Sequence, residues 1–209
     1  MKRVVCDRRH IRRRGTWRSL DGTNGLPGPV LCFHQDQDGY LWMGTWGCGV
    51  ALYDGNTITT LGIEEGLTGD RVWAIAEDGL GRKWLGTTVG LSCWDGNGFL
   101  PIDVEEGLQD IDVDDLLLGP DGQLWVAHAT GLAVYDDHDR RLQPVALPGL
   151  ESHALVSLAN DGEGGLWIGC TKGVAHWRNN QIEQWLEVDG DAMDEVEAVL
   201  VDSQSRVWF

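Results

Sequence analysis

Nowhere in the 209 residues is there an apolar run of about 18 residues, the length a helix needs to cross a bilayer. No segment sustains a 3.6-residue apolar period either, so amphipathic helices are not expected. Basic residues are scarce beyond residue 18: half of the 16 lie in residues 1–18, and the remainder carries 8 basic against 32 acidic residues, a net −24. Such a surface repels nucleic acid and anionic lipid and reads as a solvated exterior. The basic start, "MKRVVCDRRHIRRRG", lacks the apolar h-region of a secretory signal, and no second basic run extends it into a nucleic-acid footprint. The five cysteines, Cys6, Cys32, Cys48, Cys93 and Cys170, are odd in number and never spaced C-x-x-C. That excludes a disulfide framework and a zinc site, and buried thiols are expected.

Tryptophan, by contrast, is abundant, and five of the eleven recur on a period. Trp42, Trp84, Trp125, Trp167 and Trp208 stand 42, 41, 42 and 41 residues apart. Three residues before each stands a glycine (Gly39, Gly81, Gly122, Gly164), with Ser205 in the last copy. Two after stands a small residue (Gly44, Gly86, Ala127, Gly169), and twelve before an aliphatic one (Val30, Val72, Val113, Leu155, Val196). Gly49, Gly90, Gly131 and Gly173 each precede an aliphatic residue, and then comes an aromatic (Tyr53, Trp94, Tyr135, Trp177).

Within one period four short runs rich in Val, Ile, Trp and Phe are separated by turn residues. In the second copy they are "VWAIAE" (72–77), "KWLGT" (83–87), "LSCWD" (91–95) and "FLPID" (99–103). The expected fold is all-β, a β-propeller of four-stranded antiparallel blades with about five blades present. The glycine before each anchor tolerates the positive φ of a tight turn, and a nearby aspartate bonds back to the backbone. Trp and the small residue two later share a strand face, so Trp42, Trp84, Trp125 and Trp167, with Gly44, Gly86 and Gly169, are expected to interdigitate between blades. Residues 16–209 form the repeats, and residues 1–15 a separate basic segment. "KRVVC" (2–6) and "TWRSL" (16–20) are the candidate third and fourth strands of a fifth blade begun around Trp208, which would close a ring. Weighed above that closure is a C-terminally truncated segment of a larger propeller, because terminal repeats normally carry polar caps and Phe209 ends a bare apolar strand.

The pattern V-x-x-I/L-x-x-D-x-x-G-x-L-W-x-G-T-x-x-G-L-x-x-Y/W-D, seen in "VWAIAEDGLGRKWLGTTVGLSCWDG", resembles the two-component regulator propeller repeat. "EGL" at 65–67 and 106–108 is similar to that family's connector. The pattern is departed from at "VAHAT" (126–130) and "GCT" (169–171), which puts the local geometry of the third and fourth copies in question. The resemblance implies an extracytoplasmic sensor segment of a bacterial two-component system. Its expected ligand is a small molecule such as an oligosaccharide, and its expected dimerisation runs through a parent protein that carries the kinase. No kinase motif or phospho-acceptor box is present, so no catalytic residue, cofactor or metal is expected of this chain.

In a propeller the loops between second and third strands and the loops entering each blade share one rim. The first set supplies Trp46, Thr88, Thr130 and Lys172, the second Asp70, Arg71, Asp112, His153 and Asp194. Trp46 is the foremost candidate, since "TWGCG" is a residue longer than "TTVG" and a loop indole can stack on a sugar; sealing the first blade is the other reading. Two other functions compete: a protein-interaction scaffold, and a metal-dependent lyase like the streptogramin lyases, with His128 and His153 as candidates. A calcium site is a smaller expectation at "DQDG" (36–39) or "DVDD" (112–115); the first lacks the remaining oxygen ligands of an EF-hand loop, and turn formation accounts for it.

Overall fold

The computed structural model describes residues 19–209 apart from 101, 105–110, 151–152 and 189. Four copies of the repeat form four antiparallel strands each. The first comprises β1 (Val30–Gln35), β2 (Leu41–Thr45), β3 (Val50–Tyr53) and β4 (Ile58–Leu61), and the second β5 (Val72–Glu77), β6 (Lys83–Thr87), β7 (Gly90–Trp94) and β8 (Phe99–Leu100). A short β9 (Asp103–Val104) precedes the third, β10 (Val113–Leu118), β11 (Leu124–His128), β12 (Gly131–Asp136) and β13 (Arg141–Val145). The fourth holds β14 (Leu155–Asn160), β15 (Leu166–Cys170), β16 (Val174–Arg178) and β17 (Gln181–Trp185). A hairpin of β18 (Glu187–Val188) and β19 (Asp191–Ala192) and a pair of β20 (Leu200–Val201) and β21 (Val207–Trp208) follow.

Three expectations need correction. The ring of about five four-stranded blades is not formed: the fifth copy contributes only the two-stranded β20–β21, and among the described residues no sheet closes on itself and no ladder joins it to the first sheet. The strands meant to complete that copy, 2–6 and 16–18, lie outside the described residues, and Ser19 and Leu20 form no strand. Among the described residues the array is open, and its two ends carry exposed apolar side chains: Phe33 is 76% exposed at one end and Leu200 62% at the other. Nor is every pairing antiparallel. The run expected as one strand at 99–103 stops at Leu100, and β9 instead pairs in parallel with β13 of the next sheet. The connector "EGL" at 106–108 lies outside the described residues.

Consecutive sheets stack in chain order, with β1, β5, β10, β14 and β20 packing as a row of first strands. The core lies between sheets. Trp42 and Val50 pack with Val72 and Leu85, Trp84 and Cys93 with Val113 and Tyr135, and Ala127 and Leu132 with Leu155 and Ile168. The small residue two after each anchor is required by this stacking. A Cβ on Gly44 would lie 2.7 Å from the carbonyl oxygen of Val72, one on Gly86 2.5 Å from Val113 Cγ1, and one on Gly169 2.6 Å from the oxygen of Val196. The third copy carries a buried Ala127 there instead.

The turn between first and second strands is built around an aspartate six residues before the anchor. Asp78 accepts from the backbone of Leu80 (2.9 Å) and Arg82 (3.0 Å), and its other oxygen accepts from Trp84 Nε1 (2.9 Å) and Arg82 Nε (2.6 Å). Asp36 with Trp42 and Asp202 with Trp208 repeat the indole bond at 2.8 and 3.0 Å. Gly81 takes φ +78° at the tip, whereas Ser205 reaches φ +58° without being glycine. The third copy has Gly119 at the aspartate position, and in the fourth Asp161 bonds His176 instead. Accordingly Trp42 and Trp84 are buried, Trp125 and Trp167 half-buried, and Trp208 44% exposed.

Candidate functional site

The loops between second and third strands meet the residues entering first strands at one edge of the array. Trp46 N–H donates to the Pro29 carbonyl (2.9 Å), Thr88 N–H to that of Arg71 (3.3 Å), Ala129 N–H to that of Asp112 (3.2 Å) and Thr171 N–H to that of Ala154 (3.1 Å). Neighbouring copies are tied in the same way: Gly47 and Gly49 donate to the Asp70 carbonyl at 3.1 and 2.7 Å, and Gly173 to that of Asp194 at 3.1 Å. The nine candidate residues therefore share one edge.

They do not form one cluster. Trp46, 47% exposed, forms an isolated antiparallel bridge with Arg71, whose guanidinium lies 3.8 Å from the indole centroid. Trp73 meets Trp46 edge-on with centroids 5.6 Å apart. Asp112 is close enough to Arg71 for the guanidinium to oppose the upward push that burial exerts on the Asp112 carboxyl; burial wins, and the carboxyl stays above its usual range. Asp114 beside it is pushed up to about 6 by burial, helped by Asp112, Asp115 and Glu195. Elsewhere on the edge, Thr130 Oγ1 holds His128 Nδ1 at 3.0 Å, and Asp70, Lys172 and Asp194 are exposed. His153 donates its backbone N–H to Leu150 (3.0 Å).

Five side-chain atoms at this edge are sealed from solvent with no hydrogen-bond partner among the described residues: Arg71 Nε, Trp73 Nε1, Asp112 Oδ1, His128 Nε2 and His153 Nδ1. Buried polar atoms normally find partners, so such atoms are where a ligand's groups would gain most. Trp73 and Asp114 escape reading from sequence. Each is the extra residue of a β-bulge, where the register slips between Val72 and Ala74 and between Val113 and Asp115. A bulge re-aims its side chain, and strict alternation along the strand hides it. The signal available was the polar or aromatic residue directly after the aliphatic position, which the first and fourth copies fill with Leu31 and Val156.

The metal readings fare differently. Asp36 of "DQDG" is committed to Trp42 and to the backbone of Asp38 and Tyr40. Asp115 of "DVDD" accepts from the backbone of Leu116 (2.8 Å) and, across the sheet interface, of Leu158 (2.7 Å). Among the described residues no three His, Cys, Asp or Glu side chains converge as a ligand set.

Residues 24–47 match the family model described as Two component regulator propeller, the repeat that the sequence pattern resembles. No curated protein matches the sequence. The extracellular domain of the hybrid two component system BT3049 from B. thetaiotaomicron is 21% identical, with a TM-score of 0.79 over 91% of this chain and 28% of its own. The extracellular domain of the one component system BT4673 from the same organism is 20% identical, with a TM-score of 0.75 over 87% of this chain and 26% of its own. Virginiamycin B lyase from Staphylococcus aureus is 16% identical, with a TM-score of 0.70 over 88% and 64%. At these identities the likeness is one of fold, and the chain spans about a quarter of the length of the two sensor structures.

Proposed function

We propose that this chain is a ligand-sensing segment of a bacterial two-component regulator, placed outside the cytoplasm, without catalytic activity of its own, and binding a small molecule such as an oligosaccharide at the Trp46 edge. A general sensing role is what the family repeat and the sensor domains of like fold support; the ligand and its seat are our reading. The extracellular placement of those domains supports the location. One observation carries the site: an exposed indole already stacked by Arg71 stands at one edge with Trp73 and Asp112, whose Nε1 and Oδ1 have no hydrogen-bond partner among the described residues. A sugar offers a C–H face to the exposed indole and hydroxyls to the Arg71 guanidinium stacked on it and the Asp112 carboxylate nearby.

The lyase reading draws on fold likeness to virginiamycin B lyase, yet one of its two candidate histidines serves it poorly. His128 is 3% exposed, bonded to Thr130, and held below its ordinary pKa by burial. Calorimetric titration with a panel of neutral and acidic oligosaccharides tests the proposal. Saturable binding that Trp46→Ala weakens, with an unchanged melting temperature, is expected. Absence of binding across the panel, or binding that Trp46→Ala leaves intact, would refute it, and binding only to a protein partner would favour the scaffold.

A further inference from the structure

At the opposite edge of the array, where first and second strands turn, the gap between the second and third sheets opens into a cleft of about 410 Å3. The equivalent gap between the first and second sheets is only about 170 Å3, and the repeat explains the difference. There Lys83, one residue before its anchor, crosses the interface to Asp36 (3.5 Å) and fills the space while also bonding Glu77 (3.1 Å) and the Gly81 carbonyl (2.8 Å). In the third copy the same position is Leu124, which cannot reach Asp78, and the position of Glu77 is Leu118. Asp78 is satisfied within its own copy by Arg82, whose Nη1 bonds Asp137 of the third sheet at 2.6 Å.

The cleft is therefore walled by Leu80 and Leu118 and floored by polar groups with unused capacity. Arg82 Nη2 makes no hydrogen bond to a described residue. Tyr135, 7% exposed, lines the cleft with its ring 4.4 Å from that of Trp84, and its hydroxyl has no hydrogen-bond partner among the described residues. The volume falls at the small end of ligand pockets, which run from about 300 to 1,000 Å3. We infer that this cleft is a second binding site, for a neutral polyhydroxylated ligand of monosaccharide size held by Arg82, Asp137 and Tyr135. The charges select that class. Asp78, Arg82 and Asp137 together carry −1, so an added anion faces two carboxylates and an added cation competes with a guanidinium already paired. A vicinal diol meets neither cost, because one hydroxyl donates to the Asp137 carboxylate while its neighbour accepts from Arg82 Nη2. Tyr135 reaches a third oxygen, and the ring carbons lie on Leu80 and Leu118.

Saturation-transfer NMR with methyl α-D-glucopyranoside, galactopyranoside and mannopyranoside tests this site apart from the Trp46 edge. Wild-type protein should transfer saturation to at least one of the three. Tyr135→Phe, which removes only an unbonded hydroxyl, should weaken that binding about tenfold, the equivalent of one hydrogen bond of about 1.4 kcal/mol. Asp137→Ala should abolish it, and Trp46→Ala should leave it unchanged. No transfer to any of the three glycosides overturns the inference, as does transfer indifferent to Tyr135→Phe and Asp137→Ala. Transfer removed by Trp46→Ala with Tyr135→Phe unaltered also overturns it and leaves the Trp46 edge standing.

Discussion

Replacing Asp78 with alanine should be among the most damaging single changes in this chain. The carboxylate accepts four hydrogen bonds, and its loss strands the indole N–H of Trp84, a residue 1% exposed. An unsatisfied buried donor costs about 1–3 kcal/mol, and a lost hydrogen bond to a charged group about 1.5–3 kcal/mol. Arg82 keeps Asp137 as a partner, so the full penalty of an abandoned charge does not apply. The expected loss is about 3–5 kcal/mol, and at roughly 2–4 °C per kcal/mol for a chain of this size the melting temperature should fall by at least about 6 °C. The matched control is Asp202→Ala, which removes the same aspartate from the same pattern where Trp208 is 44% exposed; its cost should be clearly the smaller of the two. Urea unfolding followed by circular dichroism measures both. Equal losses, or a loss at Asp78 under about 1 kcal/mol, would show that burial of the clasp is not what makes it matter. Acidity gives a second readout. Burial would raise the Asp78 pKa, but bonds from Trp84 and Arg82 outweigh it and hold the carboxyl low. Its stabilisation is thus complete above the unfolded value of about 3.9 and disappears as pH falls through the lower folded value.

Asp114 should act in the opposite sense. Its folded pKa of about 6 lies above the unfolded value, so the folded state holds its proton more tightly and stability falls as pH rises from about 4 to 6. Asp114→Asn should flatten that part of the profile relative to wild type in pH-dependent thermal melts; an identical slope would refute the shift. Gly86→Ala places a methyl 2.5 Å from Val113 Cγ1 and should cost about 1–3 kcal/mol, most of it recovered in the double variant with Val113→Ala. Additive losses in that denaturation cycle would contradict the contact. Cys93 and Cys170, each 1% exposed with thiols pushed by burial up to about 12 and about 11, should resist iodoacetamide until the protein unfolds. Mass-spectrometric mapping that finds either alkylated in native buffer would refute their burial.

The repeat was legible because each sheet solves the same packing problem. A large indole, a small residue two positions on and an aliphatic twelve positions before fix one sheet against the next, and those contacts recur at Gly44 with Val72 and at Gly86 with Val113. The nine loop candidates could likewise be assigned to one edge by position in the period alone. What escaped were departures from regularity. Trp73 and Asp114 turn toward the candidate site only because a bulge inserts one residue, and a period-two reading places such residues without regard to the slip. The aspartate six before the anchor stood in the repeat pattern, but its bond to the indole depends on how the turn folds back over the second strand.

By itself the sequence determined the unit: its period, its four short strands, its turns, and which residue types must be large or absent, because these follow from local conformational preference and side-chain volume repeated five times. Tertiary structure decided how the units end and where they part. Whether the first and last sheets pair depends on hydrogen bonds between distant strands, and among the described residues no ladder joins them. Whether an interface is filled by Lys83 or left open beside Leu124 depends on what side chain from the neighbouring sheet is within reach, a relation between copies that no single copy specifies.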